Sequence, residues 1–78
     1  SGYFELQSND SQKLIEVLKN HPELETAKEN EGKIIVYFKT QIDAMELNKY
    51  LFDKGIILNH LVKRKLSLEE QFLELTNQ

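Results

Sequence analysis

The spacing of hydrophobic and polar residues changes along this chain from a period of two to nearly four and back again. Two segments predict well-formed strands: Tyr3–Gln7, which alternates and is rich in aromatic residues, and Lys33–Phe38, which is β-branched and aromatic throughout. Glu23–Glu29 is more polar and predicts a weaker strand. Ile56–Lys65 predicts a strand that becomes charged at its end. Asn30–Lys33 contains a glycine and predicts a turn.

Three other segments carry apolar residues at helical spacing. The first predicts a helix from about Asp10 to Asn20, which His21-Pro22 stops because proline disfavours helical geometry in the residue before it. The second follows the cap-like sequence Thr40–Asp43 and ends near Gly55. The third begins at Ser67. The apolar stripe of the second helix comprises Ala44, Leu47 and Leu51, widened by Met45 and Phe52 on one side and Tyr50 on the other.

The predicted order of elements is β-α-β-β-α-β-α, which indicates an α+β fold. The first six elements match the ferredoxin-like, or split βαβ, arrangement, to which the chain adds a C-terminal helix. We therefore expect the apolar first and third strands in the centre of an antiparallel sheet and the other two at its edges. Charged side chains on those edges discourage pairing with other sheets. They are Glu25, Lys28, Glu29, Lys63, Arg64 and Lys65.

Length and composition limit the chain to one small globular domain. It has 78 residues, of which 40% are hydrophobic and 29% charged. We expect that domain to span residues 3–78, with Ser1-Gly2 a cloning remnant. The formal net charge of −3 disfavours bulk binding to nucleic acid, and the chain has no cysteine for a disulfide, a thiolate metal site or a nucleophile. No apolar run is long enough to insert into a membrane.

The residues that usually carry catalysis are scattered. His21 precedes a proline at a helix end, and His60 lies in the middle of a predicted strand, so neither has clustered partners for a metal or for acid–base work. The three glycines do not form a phosphate-binding loop. We therefore expect no catalytic residue, no metal site and no cofactor within this chain.

The open face of the predicted sheet is a candidate binding surface. If alternate residues of the central strands face the helices, then Tyr3, Ile35 and Tyr37 face the other way. Aromatic residues in such positions stack on bases in RNA-recognition modules, although the glycine and aromatic spacing of that motif is missing here. The cluster Lys63–Lys65 can contact phosphate, or it can simply discourage another strand from pairing with this edge of the sheet. A cover formed by the last helix or by a second subunit is the simpler explanation of the open face.

A second alternative is a small-ligand sensor of the ACT type, which uses the same fold. Such domains usually place a glycine-bearing loop after the first strand. This chain has Ser8-Asn9-Asp10 at that position.

The last predicted helix has well-defined sequence features. Ser67 and Glu70 form a capping box in which each side chain satisfies a backbone N–H that the helix start leaves unpaired. Glu69 and Glu70 complement the positive end of the helix dipole. Leu68, Phe72 and Leu75 fall on one stripe, which predicts that the helix packs against something.

The stretch "SLEEQFLELT", Ser67–Thr76, closely resembles the ending S-L-E-[DE]-x-F-L-x-L-T of many ATP-binding subunits of ABC transporters. In those subunits a glycine-ended helix and a strand precede the motif, as Leu51–Lys65 does here. The position before the serine is often proline in the family and is Leu66 in this chain. The motif residues that the resemblance marks as a contact helix are Ser67, Leu68, Glu69, Glu70, Phe72, Leu73 and Leu75.

The resemblance implies a non-catalytic accessory domain, because the Walker A loop, the Walker B strand and the signature loop of the family are absent from the chain. ATP and magnesium are then expected on a separate nucleotide-binding domain of the parent ATPase. The implied partners are that domain, the second ATP-binding subunit and the membrane subunits, with no nucleic acid among them. The implied location is cytoplasmic, at the inner face of the cell membrane through the transporter.

Overall fold

A computed structural model describes residues 2–66 of the chain. Over that range the elements are strand β1, Gly2–Ser8; helix α1, Ser11–Lys19; strand β2, Leu24–Asn30; strand β3, Lys33–Phe38; helix α2, Ala44–Asp53; and strand β4, Leu58–Lys65. The predicted α+β class, with a four-stranded antiparallel sheet and two helices, is confirmed for this range. The predicted last helix, from Ser67 onwards, lies outside the described residues.

Each of the two helices begins at an aspartate that accepts a hydrogen bond from a backbone N–H of the first turn. Asp10 Oδ1 lies 3.0 Å from the backbone nitrogen of Lys13, and Asp43 Oδ1 lies 2.8 Å from the backbone nitrogen of Glu46. These N–H groups have no partner inside the helix, so a side-chain acceptor at this position stabilises the helix start. The local sequence thus determines where each helix begins.

Helix α2 ends in a glycine-dependent cap. Gly55 adopts a φ of 87°, and its N–H donates to the Phe52 carbonyl at 3.0 Å. The next N–H, of Ile56, donates to the Leu51 carbonyl at 2.9 Å. This pair of bonds is the Schellman arrangement, and it carries the Ile56 side chain into the core beside Leu51.

The four strands lie in the order β2-β3-β1-β4, so that β1 and β3 occupy the centre and β2 and β4 the edges. All three pairings are antiparallel. Strands β2 and β3 form a hairpin closed by Glu31 and Gly32, whose φ values of 53° and 80° are those that a two-residue hairpin turn requires. The six charged residues expected on the edge strands are all exposed.

One face of the sheet forms the core with the two helices. The side chains that alternate inwards on the central strands pack against the leucines of α1 and α2. The buried cluster comprises Phe4, Leu6, Ile34 and Val36 from the sheet, Leu14 and Leu18 from α1, and Leu47, Leu51 and Ile56 from α2 and its cap. The opposite face has no helix over it among residues 2–66.

The prediction that Met45 and Phe52 widen the core-facing stripe of α2 is wrong. Their side chains are 79% and 65% exposed, because the helix is rotated towards its Tyr50 side, where the tyrosine ring packs on His21 at 4.5 Å. Ile57 is also 76% exposed. It lies outside β4, which begins at Leu58 and not at Ile56 as predicted. No helix within residues 2–66 has the length and apolar character needed to cross a membrane.

Candidate functional site

The open face of the sheet brings two of the three predicted surface residues into contact. The rings of Tyr3 on β1 and Tyr37 on β3 lie 5.3 Å apart between centroids and are tilted by 35°. Ile35 lies two residues along β3, opposite Glu5 of β1. All three side chains are half-buried, although no helix in the described part of the chain covers them. The two rings and Ile35 thus form an apolar strip along the middle of this face.

Beside that strip, Glu5 is the centre of an ion cluster that the sequence interpretation missed. Its Oε1 accepts from Arg64 Nε at 3.0 Å and its Oε2 from Arg64 Nη2 at 3.3 Å, which is the two-point arrangement favoured by a planar guanidinium. Lys33 Nζ lies 3.5 Å from Oε2. The carboxylate side chain is only 12% exposed, so most of its contacts are with protein rather than water.

His60 completes this cluster through its Nε2, which lies 2.9 Å from Glu5 Oε2. Hydrogen bonds from Arg64 and His60 lower the pKa of Glu5 from 4.5 to about 2. The carboxylate is therefore ionised at neutral pH and can only accept, which requires a proton on His60 Nε2. Glu5 in turn raises the pKa of Arg64.

This cluster is better suited to holding charges in place than to catalysis. A general acid or base needs a pKa near the working pH and a free approach for the proton, whereas Glu5 is held ionised and already accepts several hydrogen bonds. Within residues 2–66 there is no group of three His, Asp or Glu side chains that could hold a metal ion. The arrangement holds one anion, Glu5, and two cations, Lys33 and Arg64, in fixed positions beside the tyrosine strip.

A sequence signal for the cluster did exist. Glu5 is the only charged residue in the predicted strand Tyr3–Gln7, and His60 and Arg64 are four residues apart on β4, so a strand places both on one face. What the sequence does not state is that β4 pairs with β1 in the register Tyr3↔Arg64 and Gln7↔His60, which brackets Glu5.

The basic cluster Lys63–Lys65 is divided between the two faces of the sheet. Arg64 faces Glu5 on the open side. Lys63 points to the opposite side, where its Nζ lies 3.4 Å from the Ile42 carbonyl and 5.6 Å from the centre of the Phe4 ring. The three cations therefore do not form one phosphate-binding patch.

His21 has a structural role at the edge of the core. Its Nδ1 accepts a hydrogen bond from the Glu23 backbone N–H at 3.0 Å, and its ring lies against Phe38 at 5.0 Å as well as Tyr50. These contacts fix the chain after α1 and explain the histidine without a bound ligand.

A groove of about 390 Å³ opens at the end of the sheet where β1 begins and β3 and β4 end. Phe4, Phe38 and Ile42 contribute apolar walls, and Leu66 and the open-face residues Tyr3 and Tyr37 also line it. The connection between β3 and α2 forms one side of it. Lys39, Lys63 and Lys65 line it together with one acidic residue, Glu25.

Comparisons of the chain with protein-family models, curated proteins and solved structures gave no match. The sequence motif and the geometry of residues 2–66 are therefore the basis for assigning a function.

Proposed function

We propose that this chain is a non-catalytic C-terminal domain of an ABC-transporter ATP-binding subunit, and that it contacts its own nucleotide-binding domain or the partner subunit. The observation that carries the proposal is the sequence Ser67–Thr76, which comes one residue after β4 and resembles the last residues of that family. ATP and magnesium belong, in this proposal, to the nucleotide-binding domain. The whole subunit works at the cytoplasmic side of the membrane through the transporter's membrane subunits.

The fold supports this assignment. We infer a ferredoxin-like arrangement, because the strand order β2-β3-β1-β4 combines with two crossover helices packed on a single face. The C-terminal helix predicted from Ser67 would be an addition to it. A fold of this kind leaves one sheet face available for a neighbouring domain, which suits an accessory module.

The open face is the surface we assign to that contact. Its strip of Tyr3, Ile35 and Tyr37 offers apolar area that is already half-buried, and aromatic residues are enriched at the centres of protein interfaces. The Glu5–Arg64 pair beside it is held rigidly by hydrogen bonds at both carboxylate oxygens. Rigid charges of this kind select a partner of complementary pattern more than they add affinity.

The parent gene tests the assignment first. The region upstream of this sequence should encode a Walker A loop and a signature loop within roughly 200–250 residues, the span of a large domain. An upstream region that encodes an unrelated domain would refute the transporter assignment.

The contact itself is tested with the purified upstream domain. We expect that domain to shift the NMR signals of residues on the open face, and Tyr37→Ala to weaken binding at least tenfold. The matched control is Phe52→Ala, which removes an exposed aromatic side chain from the other side of the molecule. If both variants lose the same affinity, or if the NMR shifts are confined to α2, the contact belongs to another surface.

The chain alone should not bind ATP, because it contains no loop that can cradle phosphates. A titration with magnesium and ATP, followed by NMR, should therefore leave the spectrum unchanged. Clustered shifts that saturate at micromolar nucleotide would contradict the proposal.

A further inference from the structure

We propose that the groove at the end of the sheet is the docking site of the chain's own C-terminal segment, Ser67–Thr76. The groove adjoins the open face at the end of the sheet, because Tyr3 and Tyr37 line it together with Phe4 and Phe38 from the core side. The inference goes beyond the proposed function because it assigns the groove an occupant from the same chain, whatever protein the domain belongs to.

The connectivity of the chain brings the start of this segment to the groove. Strand β4 ends at Lys65, and both Lys65 and Leu66 line the groove. The segment that follows therefore leaves the sheet at the mouth of this groove. As a helix, ten residues extend about 15 Å at 1.5 Å per residue, so its apolar residues are within reach of the groove walls.

The groove and the segment both offer apolar side chains. The groove walls include Phe4 and the half-buried side chains of Phe38 and Ile42. In the sequence-predicted helix, Leu68 and Phe72 share a stripe with Leu75. An isolated helix of this length is marginal in water, so a capped helix with such a stripe requires a surface on which to pack.

The groove and the segment carry opposite charges. Among residues 2–66, three lysines, Lys39, Lys63 and Lys65, line the groove, against one acidic residue, Glu25. The segment Ser67–Thr76 carries three glutamates and no basic residue; they are Glu69, Glu70 and Glu74. Docking would bring these opposite charges together. By contrast, the cations of the open face nearest the tyrosine strip, Arg64 and Lys33, are already occupied by Glu5.

Spin-label NMR of the 78-residue chain tests the proposal, since this sequence has no cysteine to interfere. A label at Gln71→Cys should broaden the amides of Lys39–Gln41 across the groove. It should leave those of Glu31 and Gly32, at the far end of the sheet, unchanged. Adding Phe72→Ser should restore most of the lost intensity. Phe72→Leu, which keeps an apolar side chain on the stripe, is the matched control and should restore little.

Variants of the groove give the reciprocal measurement. Ile42→Ser should increase hydrogen exchange of the amides of Leu68–Leu75 at least tenfold. Ile57→Ser makes the same chemical change at a 76% exposed position and should leave that exchange unchanged. Moderate salt should also weaken docking, because it screens the lysine–glutamate attraction.

Three outcomes would overturn the proposal. Broadening centred on Ile35 and Val62 would place the segment on the open face. Broadening transferred from a labelled chain to a separate isotope-labelled copy would identify the occupant as a second molecule. Uniform weak broadening that Phe72→Ser does not change would show that the segment does not dock.

Discussion

The two faces of β1 show how one strand supports two kinds of structure. Phe4 and Leu6 face the helices and are 3% and 0% exposed, in a core made only of apolar side chains. Between them, on the other face, Glu5 is also largely buried, but by Arg64, His60 and Lys33 rather than by apolar groups. The first face stabilises the fold through the removal of apolar surface from water. The second face holds charged side chains in fixed positions, and ion pairs near solvent contribute little to the net free energy of unfolding.

The largest expected effect comes from truncating the core face. Leu6→Ala should lower the free energy of unfolding by about 2–5 kcal/mol, because it removes buried methyl groups and leaves a cavity. Gln7→Ala, one residue along on the open face, is the control and should change stability little. Urea unfolding measures both. Similar losses in the two variants would mean that the faces do not differ in the way described.

A smaller effect should appear when Glu5 titrates. Its folded pKa of about 2 lies below the ordinary 4.5, so folding favours the ionised form. The resulting stability is present above pH 4.5 and is lost as the pH falls from 4.5 towards 2. The stability difference between the natural chain and Glu5→Gln should therefore narrow over this window.

Thermal unfolding at a series of pH values measures that difference. Glu29→Gln makes the same chemical change on the exposed edge strand β2 and serves as control. If the difference in stability between the unmutated chain and Glu5→Gln stays constant from pH 6 to pH 2, the ion cluster does not favour the ionised form of Glu5.

The contact between the two tyrosine rings should contribute less to the free energy of unfolding than the core leucine or the Glu5 cluster. A double-mutant cycle of Tyr3→Ala and Tyr37→Ala should give a coupling energy of about 0.5–1.5 kcal/mol, the usual range for aromatic pairs. Urea unfolding of the two single variants and the double variant provides the measurement. Strictly additive losses would indicate that the 5.3 Å contact has no energetic consequence.

The smallest expected signal is binding of single-stranded RNA to the open face. We expect weak binding without sequence preference, because the net charge is −3 and the central cations are paired with Glu5. Fluorescence anisotropy at physiological salt measures the affinity. A submicromolar value that Tyr37→Ala abolishes would favour a base-stacking surface over the proposed protein contact.

Local sequence was enough to predict most of the secondary structure. The spacing of apolar residues located both helices, and Asp10, Asp43 and Gly55 marked ends that the structure shows as caps. The alternation in the central strands also placed Tyr3, Ile35 and Tyr37 on the face opposite the core. These features are set by interactions between residues near one another in the chain, which is why a single sequence reveals them.

Tertiary structure alone decided the remaining features. The pairing register of β1 with β4 brings Glu5 to Arg64, residues 59 positions apart. The rotation of α2 exposes Met45 and Phe52, although their spacing is compatible with either side of an apolar stripe. The groove at the end of the sheet exists only because the ends of all four strands and one connection meet there. Such arrangements depend on contacts distant in sequence, and no local pattern encodes them.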